Sequence, residues 1–554
     1  MGNASIMGGG FLLGMPEAIC APEQFSEEQQ LIAQTAERFA QEEIAPACEA
    51  IESQDFAVIR RLLERTGELG LSGVEVPEEH GGAGMDLTTA SLVADHLAVQ
   101  GSFSVTFGAH SGIGMLPLVH FGNAEQKARY LPKLAAGTWI AAYALSEAES
   151  GSDALAMRTT ATAASDGSGY VLNGEKMWIS NAGIADLFTV FAKLDGKVTA
   201  FLVEAKTPGL ATGAEEHKMG IWGSSTRALL LRDAKVGEGN LLGQPGEGAH
   251  IAFQILNVGR IKLGAACVGG ARNLIRQTIA YAKQRHAFGQ AIASYGLVEQ
   301  HFATMAVALY AAESAVYRTT GLMDTAASLE EHAAECAMVK ITASEMMDRV
   351  ADLAVQIHGG NGFVRGNPAE RAYRDARVNR IFEGTNEINR LLASGVLLRR
   401  AQQGRLALMP AIQEVQQSLL SPGAAEPAPP LERARQIVLL AMGAAARRHG
   451  EALAQEQEML AGLTDMAAGL YAMQSAWLRR PEGILTQAVL CEQMEALELA
   501  AHRLLAALCA GDELRTSLAW LRRLAKRDAT DIVGLRRRIA RALIAAGGYS
   551  SSLA

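Results

Sequence analysis

The apolar residues change their period twice along the chain, and the changes divide it into helix-forming and strand-forming regions. From residue 26 to about 137 the spacing is helical: Phe25, Leu31, Ile32, Phe39 and Ile44 recur at roughly helical intervals. Ser26-Glu27-Glu28-Gln29 has the composition of a capping box that opens the first helix. Between residues 143 and about 242 the runs become short, apolar and bounded by Gly, Asp or Lys. Residues 187–192, 199–203 and 228–231 predict strands of a compact β domain. From Gly248 to about Arg400 long Ala-rich helical patterns return, punctuated by Gly359-Gly360 and Gly384. Ser421-Pro422-Gly423 and Pro427-Ala428-Pro429-Pro430 mark a linker, since proline stops helices and stiffens loops. Beyond Leu431 the pattern is helical to about Ala546, and residues 406–420 read as weakly amphipathic.

Composition narrows the classes. A chain of 554 residues is long for one domain. No stretch reaches the ~18 uninterrupted apolar residues of a membrane span. A net charge of -9 argues against bulk nucleic-acid affinity. The six cysteines, Cys20, Cys48, Cys267, Cys336, Cys491 and Cys509, form no CxxC pair. They read as reduced core residues of a cytosolic protein, with no disulfide frame and no metal site. Residues 7–15 make a poor signal peptide, lacking a basic flank. Their glycines and Phe11-Leu12-Leu13 predict a short arm packed on the body. Ser551-Ser552-Leu553-Ala554 is not a peroxisomal address.

The chemistry concentrates in four blocks. Arg380-Ile381-Phe382-Glu383-Gly384-Thr385-Asn386-Glu387-Ile388 sets one carboxylate before a Gly-Thr pair that lets backbone pass close to a ligand. Alone it reads better as a turn between helices. Upstream stand Tyr143-Ala144-Leu145-Ser146-Glu147-Ala148-Glu149-Ser150-Gly151-Ser152-Asp153 and Leu172-Asn173-Gly174-Glu175-Lys176-Met177-Trp178-Ile179-Ser180-Asn181. Gln356-Ile357-His358-Gly359-Gly360-Asn361-Gly362-Phe363 precedes the Glu383 stretch. In this order and spacing the blocks resemble the acyl-CoA dehydrogenase family of flavoenzymes. The segment after Pro430 resembles, less specifically, the C-terminal extension of the very-long-chain members, a layout that bacterial long-chain members share.

The resemblance implies a fold that is mainly α with a central β domain. Its expected parts are an N-terminal arm over 1–24, a helical domain over 25–140 and a middle β-barrel or sheet domain over 141–247. A C-terminal four-helix bundle over 248–400, a linker over 401–430 and an extra helical domain over 431–554 come after these. The implied reaction converts a fatty acyl-CoA, expected to be long-chain, to the trans-2-enoyl-CoA of β-oxidation. Glu383 takes the place of the base that removes the α-proton, a role that needs a dry setting to raise its pKa. Relatives that carry the base on an earlier helix have it one residue before an arginine matching Arg260. Here that residue is Gly259, which cannot act as a base.

The cofactor implied is FAD. Tyr143, Leu145 and Ser146 resemble the segment along the flavin ring, and Trp178 and Ser180 the residues covering its other side. A lone Trp at a strand end is ordinarily core, so that assignment depends on its context. Arg285 and Phe288, in Arg285-His286-Ala287-Phe288-Gly289, resemble a pyrophosphate-pairing motif; read without the family, Arg285 is a surface ion-pair partner. Gln356, Gly359 and Gly360 resemble the turn approached by the same dinucleotide, contributed in the family by a neighbouring subunit. Thr385 and Glu387 align with further flavin contacts. Ser152, Arg260 and Gly384 align with substrate contacts, and residues 108–112 with the helix bounding the acyl pocket. Serine replaces the usual threonine at 146, and alanine replaces proline at 148, which implies a looser loop.

The partners implied are an acyl-CoA substrate, an electron-transferring flavoprotein and a second copy in a homodimer, in a bacterial cytoplasm. The basic residues Arg522-Arg523, Lys526-Arg527 and Arg536-Arg537-Arg538 read as a solvated helix face, or as a weak contact with the membrane surface. An acyl-CoA oxidase using oxygen is the alternative enzyme. A nucleic-acid-associated flavoprotein of the same fold is the alternative from another class, with Glu383 and the negative charge against it.

Overall fold

The computed structural model describes residues 7–420 and 428–550. The chain divides into two compact units.

One unit comprises residues 26–270 and 371–383. It opens with the helix Glu27–Phe39, which Ser26 and Gln29 cap reciprocally as the sequence predicts. Phe39 and Ile44 are buried in the core of this helical part, with Ile59, Leu62, Leu63, Leu97, Phe103 and Ile140. Leu31 is 63% exposed and so does not belong to that face. The helix Gly101–Gly108 runs into a π-type turn at Ala109–Gly114.

The sheet comes next, with β1 (Ala141–Ala144), β2 (Thr160–Ala163), β3 (Gly169–Ser180), β4 (Leu187–Leu194), β5 (Lys197–Glu204), β6 (Leu210–Glu215), β7 (Thr226–Gly237) and β8 (Leu241–Leu242). The strand order is β6-β7-β3-β2-β4-β5-β8, with β1 added parallel to β4. β4 and β5 are buried almost throughout and form a regular antiparallel ladder from Leu187↔Glu204 to Leu194↔Lys197. The β3–β7 ladder slips between Lys176 and Ile179, a bulge that re-aims Trp178.

The long helix Gly248–Gln284 contributes its first part to this unit. Length and composition would let it cross a membrane, but 78% of its most apolar window is buried within the protein, as in a core helix. Residues 371–383 return to the same unit and are anchored by Asp375. Its Oδ1 accepts from the Ile221 amide, and the Arg374 guanidinium lies over the Trp222 ring at 3.8 Å. Ile221 has φ 49°, a costly conformation for a β-branched residue.

The other unit comprises the N-terminal arm to Phe25, residues 271–370 and the chain from Gly384. The helices Gly296–Asp324, Ala333–His358 and Asn386–Gln402 pack together, and Gln457–Arg479 of the extension packs on all three. The extension also supplies Pro430–His449, Ile484–Leu508, Gly511–Ala525 and Ile532–Ala546. The stretch expected as a linker carries a helix, Leu408–Leu420. Leu408, Ala411, Ile412, Val415 and Leu419 give it one buried face at helical spacing. Ser421, Pro422, Gly423 and Pro427 lie outside the described residues, as does Ser551-Ser552-Leu553-Ala554.

The arm is tied down by buried polar groups. Gly9 N–H donates to Glu335 at 2.7 Å, Gln474 donates to the Phe11 carbonyl at 3.0 Å, and the Phe11 ring meets Tyr471 edge-on. A β-carbon at Gly8 would stand 2.0 Å from the Glu331 carbonyl oxygen, so only glycine fits there. All six cysteines are free, but only Cys267, Cys336 and Cys509 are core; Cys20, Cys48 and Cys491 are half-buried.

Candidate active site

Glu383 closes the segment anchored by Asp375, and it sits in strained backbone. Its φ is 57°, in the left-handed region that a non-glycine residue adopts at a cost on the order of 1–3 kcal/mol. Arg260 Nε donates to the Glu383 carbonyl at 3.1 Å, and Arg260 Nη1 donates to Asn257 Oδ1 at 2.7 Å. Arg260, aligned by resemblance with a substrate contact, is thus buried against the backbone of Glu383.

The Glu383 carboxylate turns towards the long helix. Its Oε2 is buried and lies 2.8 Å from where a β-carbon on Gly259 would stand; Ile113 Cγ2 lies 3.0 Å from the same point. The missing side chain at 259 is the space that the carboxylate uses. Tyr143 belongs to this neighbourhood. Its ring is buried 5.0 Å from Phe191, and its hydroxyl donates to the Ala252 carbonyl at 3.4 Å. Burial pushes its pKa well up, with the Glu383 charge adding to the rise and Arg260 opposing it. Phe382, the residue before Glu383, is half-buried and Ile381 is exposed.

Beside Tyr143, Leu145 is buried and Ser146 half-buried. The next loop is fixed by a pair that the motif pattern does not single out. Lys176, fully buried on β3, donates to Glu147 Oε1 at 2.7 Å and to the Leu145 carbonyl at 3.1 Å. Glu147 also accepts from the amides of Arg158 and Thr159. Burial alone would raise the Glu147 pKa, but these donors hold it below the usual carboxylate range. The loop that lacks proline at 148 is therefore held by charge. Both residues stand in the quoted blocks, and a lysine inside a β run is the one sign of the pair that the sequence carries.

Trp178 is 52% exposed with φ 57°, so it is not core: the bulge holds the indole out with an open face. Ser180 is half-buried opposite Thr226, and Ser152 is exposed in the loop before β2. An exposed indole beside a half-buried serine hydroxyl fits a flat, polar-edged ring such as that of FAD.

A second group of the aligned residues lies in the other unit. The hairpin of His286-Ala287 with Gln290-Ala291 turns at Phe288 (φ 50°) and Gly289 (φ 87°). Tyr295 donates to the Ala287 carbonyl at 2.7 Å and steadies the turn, while Phe288 is 98% exposed and Arg285 exposed. Gln356, Gly359 and Gly360 are exposed, and a β-carbon at either glycine would meet nothing within 4 Å. That open backbone suits close approach by a dinucleotide. Tyr281, also not anticipated, fixes the turn: its ring stacks on His358 at 4.3 Å and its hydroxyl donates to the His358 carbonyl.

Thr385 caps the helix Asn386–Gln402, its hydroxyl accepting from Ile388 N–H at 3.3 Å. A helix start of this kind favours anions. Glu387 is exposed in the first turn, its carboxyl held low by its own amide and by Thr385. The Gly384 carbonyl accepts from buried Lys340 at 2.8 Å and from Asn389 at 2.7 Å.

Sequence models of the acyl-CoA dehydrogenase N-terminal, middle and C-terminal domains match residues 26–138, 142–234 and 246–398. A further C-terminal domain model of the same name matches residues 433–523. The probable acyl-CoA dehydrogenase of Bacillus subtilis (strain 168) is 42% identical, over 98% of each chain. The chain belongs to the acyl-CoA dehydrogenase family. The crystal structure of a Bacillus anthracis acyl-CoA dehydrogenase complexed with FAD superposes with a TM-score of 0.95 at 43% identity, covering 98% of this chain and 100% of that one. The human mitochondrial very long-chain specific acyl-CoA dehydrogenase is 40% identical over 59% of this chain and 51% of its own length. The Glu383 carboxylate and the Cα of Gly259 border one space in this chain.

Proposed function

We propose that this protein is an FAD-dependent acyl-CoA dehydrogenase that oxidises a fatty acyl-CoA to its trans-2-enoyl-CoA. One observation carries the reading: the buried Glu383 Oε2 occupies the space left by Gly259, next to Tyr143 and Arg260. Glu383 takes the α-proton of the thioester onto its carboxylate. FAD, when bound, would supply the acceptor for the hydride of the β-carbon, so that the substrate would lose a proton and a hydride in all. Arg260 fixes the backbone of the base, and Ile113 borders its carboxylate on an apolar side, which favours proton uptake. Trp178, Leu145 and Ser146 would hold the flavin ring, and Arg285, Gln356, Gly359 and Gly360 the dinucleotide of a second subunit.

A long-chain substrate is supported by the segment 108–114. A β-carbon at Gly108 would meet nothing within 4 Å, and one at Gly112 only Lys262 Cδ at 3.6 Å. Small residues there leave room for an extended chain. An electron-transferring flavoprotein as acceptor and a cytoplasmic place in β-oxidation belong to the same proposal. So does a homodimer, supported by the exposure of Leu297, Phe288, Phe363 and Val364.

Anaerobic mixing of the purified flavoprotein with palmitoyl-CoA tests the reading. Prompt bleaching of the flavin's visible band is expected, and slow recovery on admitting oxygen separates a dehydrogenase from an oxidase. No bleaching with long, short or branched thioesters would refute it.

A further inference from the structure

The π-type turn at Ala109–Gly114 stands beside the base, and a buried lysine holds one of its carbonyls. Such turns interrupt the helical bonding pattern and free backbone groups. Gly112 leaves helical geometry, with φ −98° and ψ −106°. Ser111 turns its hydroxyl back to the Phe107 carbonyl at 3.0 Å. Its own carbonyl accepts from Lys262 Nζ at 3.3 Å, and the same ammonium pairs with Glu75. The Lys262 and Glu75 side chains are only 8% and 14% exposed.

Lys262 lies on the long helix three residues after Gly259, about 4.5 Å along its axis. Ile113, two residues after Ser111, is the residue that shares the Gly259 space with Glu383 Oε2. The turn is pinned at its other end by His110. Its Nδ1 accepts from the Ala141 amide of β1, which leaves Nε2 to donate to the Leu134 carbonyl. Burial pushes His110 down to about 4, so it stays neutral in this role. Gly112 breaks the helical path between Ser111 and Ile113, and Lys262 holds the turn at the Ser111 carbonyl.

A buried ion pair is a weak source of stability, and two apolar side chains could fill the same volume. What apolar side chains could not supply is a donor to the Ser111 carbonyl. We propose that Lys262, neutralised by Glu75, is a positioning residue for the dehydrogenation. It locks the π-type turn in the register that sets Ile113 against Gly259 and closes the apolar wall beside Glu383. This rests on Glu383 being the base. Without that donor the turn relaxes towards regular helix, and a shift of one residue in register turns the later side chains by about 100°. Ile113 then leaves the wall, water reaches Glu383, and its proton affinity falls.

The test compares wild-type holoenzyme with Lys262→Met and with the double variant Lys262→Met/Glu75→Met. FAD content, melting temperature and the pH dependence of anaerobic flavin reduction by palmitoyl-CoA are measured. Lys262→Met is expected to lose stability, because Glu75 is left as a buried unpaired charge, and to be reduced at least tenfold more slowly. The double variant is expected to regain the wild-type melting temperature while keeping the tenfold loss, with its pH profile moved to lower pH. Recovery of rate together with stability would make the pair merely structural and overturn the proposal. A wild-type enzyme that no thioester reduces would overturn the assignment of Glu383, and the proposal with it.

Discussion

Arg260 donates its Nε to the backbone carbonyl of Glu383 across 3.1 Å, and that carbonyl belongs to a residue held at φ 57°. A guanidinium binds through a planar fork, and this one spans the Glu383 carbonyl and Asn257 at once. A lysine keeps the charge but has no fork with which to reach both. Arg260→Lys is expected to let the strained loop relax and to slow flavin reduction by about tenfold, since geometry errors near 1 Å cost on the order of 10²-fold. Stopped-flow reduction by palmitoyl-CoA, with FAD content as the control, reads the effect; an unchanged rate would show that the loop holds itself.

Replacing the proposed base by an isostere leaves the cavity intact. Glu383→Gln preserves the shape that fills the Gly259 space and cannot accept the α-proton. Bound FAD is expected to stay at wild-type stoichiometry while reduction falls by several orders of magnitude, general-base and positioning effects together being worth at least 10²–10⁴-fold. Wild-type-like reduction would place the base elsewhere.

The space at Gly259 has room for one occupant. A methyl group there would stand 2.8 Å from Glu383 Oε2 and 3.0 Å from Ile113 Cγ2, so the carboxylate must shift by several tenths of an ångström. Gly259→Ala is therefore expected to reduce the rate about tenfold with little change in FAD content. Equal rates for alanine and glycine would show that the carboxylate is not set by this contact.

Periodicity and motif spacing made the helix–sheet–helix order and the family legible. The capping box at Ser26 and the β4–β5 ladder stand where the apolar pattern puts them. Leu31 and Trp178 show the limit of such patterns. A period places a residue near a face, but 63% exposure at Leu31 and 52% at Trp178 depend on which elements arrive from elsewhere in the chain. Lys176–Glu147, Lys262–Glu75 and Tyr281–His358 join residues far apart in sequence, so no local spacing reports them. The strained φ at Glu383 is equally silent, because only its long-range partners sustain it.

Asp375 makes the anchor of the segment that ends at Glu383 sensitive to pH. Burial pushes its carboxyl up to about 7, opposed by the Ile221 amide and the neighbouring arginines, with Glu52 adding to the rise. The folded pKa lies above the unfolded value of 3.8. Its contribution is therefore full below about pH 4 and is lost as pH rises through about 7. A shift of about three units corresponds to roughly 4 kcal/mol. Asp375→Asn cannot ionise and its amide oxygen can still accept from Ile221. Melting curves from pH 5 to 8.5 should show the wild type losing stability relative to the variant as pH rises. A constant gap between the two would mean that Asp375 does not titrate in this range.

Arg479 joins the extension to the helix Gly296–Asp324 through a buried guanidinium. Its side chain is fully buried; it donates to Glu313 Oε2 at 2.7 Å and to Glu23 at 2.8 Å, over the ring of Tyr310. Glu313 also accepts from Arg272 at 2.6 Å and from the Tyr549 hydroxyl at 2.7 Å. Burial works to raise Glu313, yet Arg479 and Arg272 hold it down at about 2. Arg479→Met keeps the bulk and strands that carboxylate with fewer partners, at a cost of about 3–5 kcal/mol. Because Gly296–Asp324 and Gln457–Arg479 meet through this contact, hydrogen exchange should quicken in both helices together. Protection lost from the extension alone would instead mean that Gly296–Asp324 holds without it.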